Sequence, residues 1–311
     1  MTQDQIQLSK KVQPQNSAKF SRDLRERIIE FVLFLAAFSS VATTIAILYI
    51  LIDESVLFFR EVSIIEFLTD TQWTPLFADA HYGILPLLSG TLVTATVAMF
   101  VAIPLGTIAA IYLSEFAHPQ LREIVKPWLE VLAAIPTVVY GYFALLVVTP
   151  LLQVIFPMLP GFNMLSAGLV MGLMIVPFVS SISEDAMRSV PVGLREGSYA
   201  MGATRLQTAL KVVYPAAISG VSAAYILAIS RAVGETMIVT VAAGLQPQLT
   251  FNPFDQAATI TAYIVQVSLG DIPHGTLEFH TIFAAGLTLV LMTLVLNVIG
   301  HVLAKHYREI Y

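Results

Sequence analysis

Six long apolar stretches run through this 311-residue chain, and they constrain its fold more than any other feature. Each reaches or exceeds the roughly 20 apolar residues that a helix needs to cross a bilayer. Only 12% of the residues are charged, whereas soluble domains carry about 25%. The sequence therefore predicts an all-α integral membrane protein. We place its six transmembrane helices at 31–52, 84–113, 127–156, 162–183, 216–243 and 280–304.

The distribution of Lys and Arg predicts the orientation, because these residues concentrate in cytoplasmic segments. With both termini in the cytoplasm, fourteen of the 16 basic residues lie inside, Arg60 lies outside and Arg231 lies within a helix. This arrangement requires an even number of helices, in agreement with six. We divide the chain into a cytoplasmic tail (1–30) and a first helix with an external segment (31–83). A transmembrane core (84–304) and a second cytoplasmic tail (305–311) follow.

Several shorter features refine this plan. Gly168 and Gly172 lie four residues apart, so they share one helix face and allow a neighbouring backbone to approach closely. The apolar piece at 257–269 is too short to span a bilayer and is predicted to be interfacial or re-entrant. The stretch 136–141 is predicted to be a proline kink, and equally a candidate for a pathway.

The predicted cytoplasmic loop at 184–215 contains a spaced motif. It is composed of Glu196-Gly197-Ser198, then Gly202, then Val212-Val213-Tyr214-Pro215. Glycine at 202 can turn the chain between two short helices at low steric cost. The motif resembles the EAA loop of ABC importer permeases, although Gly197, Ser198 and Tyr214 replace the usual Ala, Ala and Leu.

That resemblance implies a coupling helix that docks on an ATPase subunit. The residues expected to form the contact are Arg195, Glu196, Gly197, Ser198 and Gly202. No Gly-Lys dipeptide occurs in the chain, so the lysine-containing phosphate loop of an ATPase is absent. We therefore expect a transporter subunit rather than an enzyme, with ATP hydrolysis by a partner chain.

A charged pair lies near the middle of the fifth predicted helix. Arg231 and Glu235 are four residues apart, so they would share a helix face and could form an ion pair. Charged residues at that depth cost about 2.5–3.5 kcal/mol on insertion scales and are functional candidates. Arg231, Glu235 and Thr236 are the predicted pathway residues, although a purely structural lock between helices remains an alternative.

The sequence Arg231-Ala232-Val233-Gly234-Glu235-Thr236-Met237, together with stretches at 90–116 and 134–141, resembles the permeases of phosphate ABC importers over about 84–304. The subunit is more similar to the PstC type than to the PstA type. The resemblance implies the MetI-like fold of type I importers and location in the bacterial inner membrane. It also implies four kinds of partner: a PstA-type permease, two PstB-type ATPases, a PstS-type external phosphate-binding protein, and phosphate itself.

Several alternatives remain open from the sequence. The chain could transport another oxyanion such as molybdate or sulfate, or be the PstA-type partner. An ion-coupled secondary transporter with Glu235 as its proton site, and a signalling or scaffold subunit, are possibilities outside this class. No cofactor or nucleic-acid partner is expected. A metal site is also not expected, because His301 and His306 are five apart rather than the four that would place them on one helix face.

Overall fold

The computed structural model describes residues 16–306, which are almost entirely helical. The predicted tails at 1–30 and 305–311 therefore lie partly outside the described residues. The first six helices are α1 (Asn16–Glu61), α2 (Ile64–Thr69), α3 (Leu85–Phe116), α4 (Pro119–Ala134), α5 (Thr137–Ile155) and α6 (Met164–Arg188). The other six are α7 (Val192–Ala200), α8 (Arg205–Ala216), α9 (Ile218–Val233), α10 (Met237–Ala242), α11 (Ile260–Ser268) and α12 (Leu277–His306).

Five helices in the described chain are long and apolar enough to cross a membrane, and α8 with α9 form a sixth span if the bent pair counts as one. The number of helices therefore agrees with the predicted six. The third predicted helix, at 127–156, is wrong in its first part. The backbone is extended at Ile135 and Pro136, and the span begins only at Thr137, because the residue before a proline avoids helical geometry.

The fifth predicted helix, at 216–243, is not continuous. The chain bends by 72° between α8 and α9, and α9 ends at Val233, with three residues between it and Met237, where α10 begins. The apolar piece predicted to be interfacial or re-entrant contains α11, a helix of nine residues with five buried positions. This short helix folds within the bundle.

The chain divides into two compact units at Asp53 and Glu54. The unit that begins at Glu54 includes the segment that is predicted to be external, whereas the sequence predicts that this segment belongs with the first helix. Aromatic side chains of that segment pack against α11, with the rings of Trp73 and Tyr263 edge to face at 5.0 Å. This apolar contact explains why residues 54–83 fold with the transmembrane core.

The glycine face of α6 packs directly on α3, as predicted. A Cβ atom on Gly168 would lie 2.7 Å from the Cβ of Val97 and 3.0 Å from the carbonyl oxygen of Thr94. A Cβ on Gly172 would lie 2.7 Å from the carbonyl oxygen of Ala98. No side chain fits at either position, so the two backbones approach as closely as small residues allow.

We predict that Gly172→Leu destabilises the bundle by about 1–3 kcal/mol, the typical cost of overpacking. The melting temperature of the purified protein in detergent should fall. Gly161→Ala is the control, because a Cβ there has no neighbour within 4 Å and should leave the melting temperature unchanged. Equal melting of Gly172→Leu and the parent would contradict the close contact between α3 and α6.

Candidate functional site

The break between α9 and α10 separates the two charges of the predicted pair. The last helical residue of α9 is Val233, and Gly234 follows with its amide bonded to the carbonyl of Ser230. Across the described residues, Arg231 has no carboxylate oxygen within 4 Å. The predicted Arg231–Glu235 ion pair is therefore wrong, because four-residue spacing places two side chains together only in a continuous helix.

Glu235 instead caps the N-terminus of α10. Its Oε1 atom accepts hydrogen bonds from the backbone amides of Met237 at 3.1 Å and Ile238 at 3.4 Å. The side chain of Thr261 on α11 donates to the carbonyl oxygen of Glu235 at 2.7 Å. Glu235 is 9% exposed, and a carboxylate is favoured at a helix N-terminus. The carboxylate thus satisfies the broken backbone rather than neutralising Arg231.

Arg231 and Thr236 flank this break with accessible side chains. Arg231 is exposed, and its guanidinium lies 5.8 Å from the ring centre of Phe178 on α6. Thr236 is partly buried and donates a hydrogen bond to the carbonyl of Gly234 at 3.3 Å. A guanidinium over an aromatic ring is attracted to the face of the ring, while its N–H donors lie in the guanidinium plane, so this contact leaves donors available.

Arg231 lines a cavity of about 160 Å³ that it shares with α4 and α6. One water molecule needs only ~10–15 Å³ on the same measure. Charged side chains from α4 and α6 also line it, namely Lys126, Glu130 and Glu184. These residues are distant from Arg231 in the chain, so no local sequence pattern predicts that they share its cavity.

A buried carboxylate joins α4 to the end of α6. The side chain of Glu184 is 1% exposed, forms an ion pair with Arg122 Nε at 2.7 Å and accepts a hydrogen bond from Lys126 Nζ at 3.0 Å. Lys126 also bonds to Asp185 at 2.9 Å. The hydrogen bond to Asp185, followed by the one to Glu184, raises the pKa of Lys126 despite partial desolvation, so its ammonium stays charged at neutral pH.

The predicted coupling loop has the expected turn at Gly202. This residue has φ of 82° and lies between α7 and α8, where a left-handed backbone favours glycine. At the start of α8, the Thr204 side chain accepts a hydrogen bond from the Gln207 amide, and the Gln207 side chain accepts one from the Thr204 amide. The loop is thus two short helices joined by a glycine turn, as predicted.

Arg195 points into the protein and pairs with Glu115. Its Nη2 atom donates to Glu115 Oε1 at 2.9 Å, and its Nε donates to Glu115 Oε2 at 3.2 Å. Two more hydrogen bonds reach the carbonyls of Val190 and Met187. Because the side chains of Arg195 and Glu115 are only 16% and 5% exposed, this pair attaches α7 to the ends of α3 and α6.

The other predicted coupling residues differ in exposure. Glu196, Gly197 and Gly202 are exposed, and a Cβ on either glycine would have no neighbour within 4 Å. Ser198 is partly buried, with its Oγ 2.9 Å from Oγ1 of Thr208. Large apolar side chains beside them are also exposed, namely Val192, Tyr199 and Met201. This face of α7 is therefore open to a contact.

Residues 102–309 match the family of binding-protein-dependent transport system inner membrane components. The chain belongs to this family. The match covers the predicted coupling loop, the broken fifth helix and the last span. Membership confirms a multi-pass membrane permease and is consistent with the expectation that the chain is not an enzyme.

Related permeases are similar over most of the chain. A probable ABC transporter permease, YqgH of Bacillus subtilis, is 39% identical over 232 residues, which are 75% of each protein. The phosphate transport permease PstC of Mesorhizobium japonicum is 33% identical over 75% of this chain and 76% of its own length. A probable PstC of Methanocaldococcus jannaschii is 32% identical over 75% of this chain and 78% of its own length.

Solved ABC importers share the fold. A bacterial transporter involved in the import of the acidic polysaccharide alginate aligns with a TM-score of 0.64 and 16% identity, over 93% of this chain and 100% of that one. The inward-facing MetNI methionine transporter aligns with a TM-score of 0.54 and 20% identity, over 73% of this chain and 95% of that one. These similarities confirm the predicted MetI-like architecture.

Breaking the Arg195–Glu115 pair should destabilise this permease. Glu115→Gln leaves a mostly buried guanidinium without its carboxylate, which costs about 3 kcal/mol or more. We expect a clearly lower melting temperature in detergent. Glu196→Gln, one residue from Arg195 but exposed, should melt like the parent. If both variants melted alike, Arg195 would not hold α7 to the membrane helices.

Proposed function

We propose that this chain is a transmembrane permease subunit of an ATP-driven importer of inorganic phosphate, and that it contributes half of the translocation pathway. The observation that carries the proposal is its 32–33% identity to phosphate permeases of the PstC type over three quarters of the chain. The position of Arg231 supports the same substrate class. Arginine is always charged and donates bidentately to phosphate oxygens.

The broken fifth helix supports a role for Arg231 in the pathway. Since Glu235 is occupied by the amides of Met237 and Ile238, it does not compete with an oxyanion for the guanidinium. Thr236 adds a hydroxyl beside the break. We infer that Arg231 offers its donors to phosphate as it crosses, whereas Glu235 preserves the shape of the break.

The coupling surface supports an ATPase partner. We infer that Glu196, Gly197 and Gly202 face one of two PstB-type ATPases in the cytoplasm, whereas Arg195 and Ser198 hold α7 from within. A second, PstA-type permease would complete the pathway, and a PstS-type phosphate-binding protein would dock outside. The distribution of basic residues supports cytoplasmic termini, with the core over 84–304 between the proposed cytoplasmic tails at 1–30 and 305–311.

Substitution of Arg231 tests the pathway. In the assembled complex in proteoliposomes, Arg231→Gln should lower ATP-dependent uptake of radiolabelled phosphate about tenfold or more, the scale of losing a hydrogen bond to a charged group. Arg231→Lys, which keeps the charge but loses the planar fork, should retain intermediate uptake.

Unchanged uptake by a normally assembled Arg231→Gln complex would contradict a role in transport. Competition by excess sulfate or molybdate against labelled phosphate identifies the substrate class in the same uptake assay. If either suppressed uptake as strongly as unlabelled phosphate, the importer would be one for another oxyanion. Uptake without ATP or partner subunits would instead indicate an ion-coupled transporter.

Two glycine substitutions test the coupling surface and its sidedness. Gly197→Phe adds a bulky side chain to the exposed face of α7, so the ATPase should no longer co-purify with the permease. Gly161→Phe is the matched control, because a Cβ at either glycine has open space around it and Gly161 lies on the proposed external side. Equal recovery of the ATPase with both variants would place the contact elsewhere.

A further inference from the structure

The cavity beside Arg231 contains a second cation, Lys126, which comes from the amphipathic helix α4. The two residues lie more than a hundred positions apart in sequence. The carboxylates of Glu130 and Glu184 also line the cavity, so its formal charges balance when no anion is present. The predicted topology places α4 on the cytoplasmic side of the membrane.

We propose that Lys126 is a second anion-binding residue of the pathway, receiving phosphate on the cytoplasmic side of Arg231. The proposal rests on the phosphate pathway proposed above and extends it by one site. An anion that leaves the guanidinium would find the ammonium of Lys126 in the same cavity, before it reaches the cytoplasm.

The contacts of Lys126 allow it to exchange partners. Its Nζ atom bonds to Asp185, whose side chain is 62% exposed, and water weakens such an accessible ion pair. A lysine has three rotatable donors on a flexible stem. The ammonium can therefore turn from Asp185 to a passing oxyanion through a small side-chain movement.

Glu184 remains compensated when Lys126 exchanges partners. Arg122 Nε lies 2.7 Å from Glu184 Oε1, and Arg188 Nη1 lies 3.8 Å from the same oxygen. A buried carboxylate left without a cation would be costly, but here two guanidinium groups stay close. Lys126 can therefore leave Glu184 for an anion without leaving the buried carboxylate unpaired.

The carboxylates around the cavity suit brief binding. Conduction requires a site that attracts the ion strongly enough for entry and weakly enough for release. Glu130 and Glu184 repel an anion and limit how tightly Lys126 and Arg231 hold it. A point-charge ammonium also imposes less geometry than a guanidinium, so the anion can move on.

Arg122 is a close internal control for Lys126. Both residues lie on α4, one helical turn apart, both side chains are 26% exposed, and both pair with Glu184. Only Lys126 lines the cavity. If the cluster merely attaches α4 to α6, removing either cation should have the same effect.

Uptake by the assembled complex separates these roles. Lys126→Gln should lower phosphate uptake about tenfold, as expected for losing a charge-assisted hydrogen bond, and Lys126→Arg should restore most of it. Arg122→Gln should lower uptake less than Lys126→Gln does, because Lys126 and Arg188 still lie beside Glu184. Equal losses for Lys126→Gln and Arg122→Gln, or normal uptake by Lys126→Gln, would overturn the inference.

The Arg231→Gln complex distinguishes the two levels of the proposal. If it transports normally, the phosphate pathway proposed above is wrong, and the second site is wrong with it. If Arg231→Gln abolishes uptake and Lys126→Gln does not affect it, only the second site is wrong.

Thiol protection gives a measurement that a structural role would not change. The chain has no cysteine, so Ser181→Cys, at a residue that lines the cavity with Lys126, provides its single thiol and leaves the ammonium in place. Phosphate should slow modification of Ser181→Cys by a positively charged methanethiosulfonate in the assembled complex during turnover. The slowing should be lost when Lys126→Gln is added and kept when Arg122→Gln is added. Equal rates with and without phosphate at position 181, or equal protection in the two double variants, would contradict an anion site at Lys126.

Discussion

Backbone groups that a helix break leaves unpaired are costly inside a bilayer, because no water is available to bond them. This chain interrupts its apolar helices at Pro136, at Ala217 and between Val233 and Met237. At the third interruption, the Glu235 carboxylate bonds two free amides and α11 supplies a hydroxyl to a free carbonyl. The bundle packing that provides these partners allows an accessible Arg231 to lie beside a broken helix.

Two buried carboxylates organise the end of the bundle that we propose to be cytoplasmic. Glu115 holds Arg195 of α7, and Glu184 holds Arg122 and Lys126 of α4. Arg195 also donates to the carbonyl of Met187, less than one turn from Glu184. The contacts of α7 and the charged cavity therefore share the last turn of α6, so α7 is attached to the helix that supports the cavity.

Local patterns predicted much of this fold. The turn at Gly202 and the close approach at Gly168 followed from residue type and spacing, since glycine has no Cβ to strain or to clash. The same kind of reasoning failed for Arg231 and Glu235, because it assumed a continuous helix. The pair of Arg195 with Glu115 was not predicted either, because the carboxylate lies 80 positions away in the chain, too far for any spacing rule to indicate.

The sequence by itself determined the membrane environment, the approximate number of spans and the transporter family. The length of apolar segments and the local motifs do not depend on how the helices pack. The tertiary structure decided which charges meet. It separated Arg231 from Glu235, turned Arg195 inward and brought Lys126 to the cavity of Arg231. The physical reason is that the partner of a charged side chain depends on where helices break and which ones pack together.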